Sequence, residues 1–92
     1  MDLPALIAAA VAKGDFLVSV HAHRRLRERQ IELWQLEAGV AEWVVTEVRP
    51  DDLPNPSILC QQALSDGSGV TVVWAWVPED AQALLVTVFF PD

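Results

Sequence analysis

Apolar residues recur at helical spacing from the start of the chain. Leu3, Leu6, Ile7, Ala10 and Val11 lie three or four apart behind Asp2, and Gly14 follows as a stop, so the pattern predicts a helix over residues 3–13 with one apolar face. Phe16–Val20 is a short, partly β-branched run that reads as a strand or an extended lead-in. From His21 to Arg29 nothing breaks a helix, and Ala22 and Leu26 alone mark a buried stripe, which predicts a largely solvent-facing helix. Leu33, Leu36, Val40 and Trp43 then predict a third helix from about Glu32 to Trp43, after a corner at Gln30-Ile31, with Gly39 lowering its propensity.

After residue 43 the period changes. Val44–Val48 alternates as a strand, while Pro50-Asp-Asp-Leu-Pro-Asn-Pro56 carries three prolines in seven residues and reads as a loop. Ser57–Leu64, Val70–Val77 and Leu84–Phe90 are strand candidates separated by Ser-Asp-Gly-Ser-Gly and Pro-Glu-Asp-Ala-Gln, both rich in turn residues. The expected architecture is α+β, with two or three N-terminal helices packed on an antiparallel sheet of three or four strands. It forms a single domain over residues 1–92, helical over about 3–43 and sheet over about 44–90.

The last two strands are apolar on both faces. Trp74 and Trp76 share one parity and Val73, Ala75 and Val77 the other; Leu84, Val86, Val88 and Phe90 likewise oppose Leu85 and Phe89. Three short helices cover one side, which leaves two outcomes for the other. Either a second copy or another protein covers it, with Trp74, Trp76 and Phe90 as the expected contacts, or the first helix crosses over and completes a monomeric core.

Composition narrows the class. The chain has 92 residues, 52% hydrophobic and 21% charged, with four Trp and three Phe, so it folds, and it is too short for a multidomain enzyme. Its longest apolar runs fall well short of the roughly 20 residues that span a bilayer. Asp2 stands where a secretion signal carries positive charge, so a cytoplasmic protein without membrane contact is expected. Cys60 is the lone cysteine and reads as a buried apolar filler, unable to form an internal disulfide or a thiolate metal cage. No P-loop, dinucleotide fingerprint or nucleophile elbow occurs, and no cofactor is expected.

Charge changes the picture more. The net charge of -7 opposes nucleic-acid binding by the surface as a whole. All six basic residues lie within residues 1–49, and residues 50–92 carry six acids and no base. Arg24, Arg25, Arg27 and Arg29 crowd into six residues behind His21 and His23. Such guanidiniums bind phosphates bidentately, and a histidine transfers protons near neutral pH, the equipment of a metal-independent endoribonuclease. The alternative is that the arginines pair with the chain's own carboxylates, Asp51, Asp52 or Glu47, or with an acidic partner face. His21-Ala-His23 lacks a third ligand, so no metal site is expected, and a helix-start role suits His21 better.

The order helix, Val-Ser-Val-His-Ala-His-Arg-Arg-Leu-Arg-Glu-Arg-Gln-Ile, helix, proline loop and a meander closing on Leu-Leu-Val-Thr-Val-Phe-Phe-Pro-Asp resembles the small bacterial family named domain of unknown function 4258. The resemblance covers residues 16–92 and rests on His21, Ala22, Arg25, Arg29, Ile31, Thr87, Val88, Pro91 and Asp92. Gln30 stands where that family favours glycine, and Phe89 where it often has tyrosine. The family is similar in pattern to the wider RelE and BrnT group of toxins, a likeness that implies messenger cleavage but carries no assigned catalytic residues. The expected function is therefore a protein-interaction module, as a homodimer or with a small partner such as an antitoxin. The alternative is a toxin-like endoribonuclease in which Arg24, Arg25, Arg27 and Arg29 hold phosphates and His21 or His23 moves the proton; RNA is opposed by the net charge.

Overall fold

Asp2 starts the first helix, its carboxylate accepting the Ala5 N–H at 3.2 Å. In the computed structural model, which describes residues 2–90, α1 runs Leu3–Ala12, β1 Phe16–Val18, α2 Val20–Arg29 and α3 Leu33–Ala38. A 3-10 turn at Gly39–Ala41 leads into β2 (Val44–Arg49), β3 (Ser57–Ala63), β4 (Gly69–Val77) and β5 (Gln82–Phe89). None of the described helices is long and apolar enough to cross a membrane.

The sheet has five strands, in the order β1-β5-β4-β3-β2, rather than three or four. It is also mixed: β2 to β5 form an antiparallel meander, but β1 pairs in parallel with β5, Phe16 to Val18 opposite Ala83 to Leu85. The extra strand lies between α1 and α2, so the helices do not form one uninterrupted N-terminal block. Backbone bonds flank this three-residue strand at both ends, Ala83 N–H to Asp15 O at 3.2 Å and Ser19 N–H to Leu85 O at 3.0 Å.

The third helix is half the expected length. The side-chain amide of Gln62, on β3, donates to the carbonyls of Gln35 and Leu36 at 3.3 and 3.5 Å and so takes up acceptors that end the helix. Gly39 stands against that amide, and a Cβ there would collide with Gln62 Nε2. Helix α2 ends on Gln30 in the left-handed conformation, φ 56°, the position where the family resemblance expects glycine.

All three helices close one face of the sheet. Leu3, Ile7, Ala10 and Val11 of α1, Ala22 and Leu26 of α2 and Leu36 of α3 join Ile58, Cys60, Val72, Trp74, Leu85 and Val88 in a single buried cluster. Strand pairing shows that these sheet residues share one side, since Ile58 stands opposite Trp74, Cys60 opposite Val72 and Trp74 opposite Leu85. Trp74 is the keystone, fully buried and edge-on to Phe16 with ring centroids 5.5 Å apart. The first helix therefore does not cross to the second face. That face carries Leu17, Leu59, Val73, Ala75, Leu84, Val86, Thr87 and Phe89, and the proline loop between β2 and β3 folds over part of it.

Candidate functional site

Helix α2 gets its position from Ser19. The hydroxyl accepts the Ala22 N–H at 2.9 Å as an N-cap and donates to Val86 O at 2.9 Å, so one side chain starts the helix and ties it to β5. Where β1 stops, α2 continues along the same edge of β5. Arg25 Nε donates to Val88 O at 3.3 Å, and the Arg29 guanidinium lies 5.5 Å from the centre of the Phe90 ring. His21 Nε2 lies 3.0 Å from Thr87 Oγ1, joining two residues 66 apart in the chain that both belong to the family resemblance.

The helix splits the arginine cluster. His21, Arg24, Arg25 and Glu28 follow three- and four-residue spacing and share one flank, and the His21–Thr87 contact turns that flank toward the second sheet face. His23 and Arg27, both exposed, share the opposite flank. The two histidines thus diverge, and among the described residues no three His, Cys, Asp or Glu side chains converge as metal ligands.

The expected internal ion pairs do not form. Among the described residues the single ion pair is Arg49 with Glu47, both on β2, and it holds the Glu47 carboxyl below its usual range. Asp52 instead accepts the Ser57 hydroxyl at 2.7 Å, and Asp51 is exposed in the turn after β2. The acids are present in number but stand at the other end of the sheet from α2. Arg24, Arg25 and Arg27 consequently meet no carboxylate of the described residues.

The three expected contact residues also move. Trp74 is buried in the core and presents nothing to a partner, because its parity is the one the helices cover. Trp76 and Phe90 are half-buried and pack against the same core from its rim. While Val20, Trp34 and Val48 are exposed elsewhere, the accessible apolar residues on the second face are exposed Leu17 and Val44 with half-buried Leu59, Val73, Leu84, Val86 and Phe89. These residues were apolar in the sequence on both parities, so alternation gave no reason to prefer them. Where the proline loop folds over, Asp52, Leu53, Pro54 and Asn55 wall a pocket of about 160 Å³ floored by Val73, Ala75, Leu84 and Val86. Leu53 itself is 86% exposed.

Beyond the end of β1 the exposed part of β5 is capped by α2, and the β2 edge is blunted against strand addition. Backbone and side-chain groups of Ser19 and Arg25 occupy carbonyls of β5, while β2 carries a bulge between Val45 and Glu47, a charged pair and Pro50.

The order of elements and the residues just placed correspond to one family. The chain belongs to the family described as Domain of unknown function (DUF4258), which matches residues 18–90. The match runs from the end of β1 to the rim residue Phe90 and takes in α2, the His21–Thr87 contact and the whole meander. Pro91 and Asp92, which the resemblance included, lie outside the described residues. No curated protein and no solved structure matches the chain.

Proposed function

We propose that this chain is a protein-interaction module that docks a protein partner on the second face of its sheet, with the His21, Arg24 and Arg25 flank of α2 as the charged border. The observation that supports it most is the pairing of half-exposed Leu17, Leu59, Val73, Leu84 and Val86 on one face with guanidiniums that no described carboxylate neutralises. Apolar centre and polar rim is the anatomy of a protein interface. A photo-crosslinking residue at Leu17 tests it in cells: the module yields a protein adduct that Arg24→Glu diminishes, and an adduct-free chain removes the reading.

A second reading, the toxin-like endoribonuclease, is favoured by the same unneutralised arginines. Against it stand the division of the arginines between two flanks and the absence of any base in residues 50–92. In cell-free translation, the enzyme cuts messenger and halts synthesis, and an Arg24→Ala, Arg27→Ala variant does neither. Undiminished translation with the native chain removes this reading.

A further inference from the structure

Resting on the interaction-module reading, we infer that the occupant of the open sheet face is a second copy of this chain, with the α2 flank of each copy laid on the Glu47–Asp52 corner of the other. The two corners of the face have opposite net sign, with Glu28 offsetting one arginine at the first and Arg49 one acid at the second. At one, near the end of β5, His21 contacts Thr87 and Arg25 the Val88 carbonyl, with exposed Arg24 and Glu28 on the same flank of α2. At the other, β2 runs out through Glu47 and Arg49 into Asp51 and Asp52, beside Ser57 at the start of β3. Pairing places these corners on a diagonal. Ser57, Ala75 and Leu84 align across one end of the sheet, and Gln61, Thr71 and Phe89 across the other, while α2 and β2 occupy opposite edges.

The diagonal decides the orientation. Two such faces meet about a twofold axis lying between them. An axis along the diagonal stacks arginine on arginine and aspartate on aspartate. An axis perpendicular to the diagonal lays each basic corner on the other copy's acidic corner and joins the two apolar centres. Like-charge contacts select against the first arrangement and opposite charges select the second. Because the contact is isologous, each ion pair occurs twice, and reversing one residue counts twice.

Sedimentation and light scattering on the full chain test the arrangement. The native protein is expected at twice its 10.1 kDa chain mass. Arg24→Glu and Asp51→Arg, both at exposed positions, each raise the dimer dissociation constant by about tenfold or more, and an equimolar mixture of the two variants recovers the native value. Lys13→Glu makes the same charge change at the end of α1, outside this face, and leaves the constant unchanged. Circular dichroism confirms that each variant is folded. A native monomer, a dimer indifferent to both reversals, or a mixture that fails to reassociate overturns the inference. A native monomer whose Leu17 crosslinks to a different protein overturns it while leaving the module reading intact. Crosslinks to RNA alone overturn both.

Discussion

The two faces of this sheet are built from nearly the same residue types and have opposite fates. On β4, Trp74 points under the helices and is fully buried, while its neighbour Val73 points to the other side and stays half-exposed beneath no helix. The same division runs through β5, with Leu85 closed in and Leu84 on the floor of the loop pocket. Apolar composition alone does not decide burial. What decides it is that α1, α2 and α3 together amount to one layer, and a five-stranded sheet has two faces to cover.

The contrast is sharpest in side-by-side truncations. Trp74→Ala is expected to destabilise the fold by about 3–5 kcal/mol, as for other buried aromatics. Val73→Ala, one residue away, costs ~1 kcal/mol. Urea midpoints for the two variants, taken at a concentration where the chain is monomeric, measure this, and equal losses there would mean that the second face is covered in the folded monomer. A smaller but still large effect belongs to the closed face's contact with α3: Gly39→Ala forces a methyl into Gln62 and costs about 1–3 kcal/mol. Adding Gln62→Ala removes the obstacle, so the double variant loses less than the sum of the two single changes.

Cys60 reports the dryness of the closed face through pH. Burial pushes its thiol from 9.0 up to about 12. Below the lower value the thiol is protonated in both states and stability is complete. As pH rises through the window between the two values, the unfolded chain ionises before the folded one, and stability falls by about 1 kcal/mol per pH unit. Cys60→Ala is expected to lose that slope when urea midpoints are compared between pH 8 and pH 10.5, and an unchanged slope would show that the thiolate is tolerated inside. The smallest effect lies at the end of α2, where Gln30→Gly relieves a left-handed residue and gains about 0.5–1 kcal/mol, read as a rise in melting temperature.

Helical spacing at Leu3 to Val11 and the solvent-facing character of α2 were legible in the chain, as were the turns that separate β3, β4 and β5. Those features depend on neighbours a few residues away. The parallel strand was legible only as a short apolar run, because its partner Ala83–Leu85 lies more than sixty residues on and no local pattern announces it. Trp74 was misplaced for a different reason: with Val73 and Ala75 apolar as well, period-two reading offers two equivalent faces, and the choice is made by where α1 lands. The arginine partners failed on distance. Glu47 is captured by Arg49 two residues away and Asp52 by Ser57, so sequence charge balance had the right numbers at the wrong end of the sheet. Within the site, the basic cluster was visible; its division into two flanks about the sheet edge and the contact of His21 with Thr87 required the fold.

The strand that holds this molecule together is the last of the five to be made. β5 lies inside the sheet, between β1 and β4, and α2 is tethered to its carbonyls and side chains from Val86 to Phe90. On the ribosome, β1 and α2 therefore leave the exit tunnel with no seat to occupy, and they wait for more than fifty further residues before one exists. Folding of the N-terminal part is thus coupled to completion of the meander, a topology of high contact order that delays closure and leaves the arginine helix undocked until then.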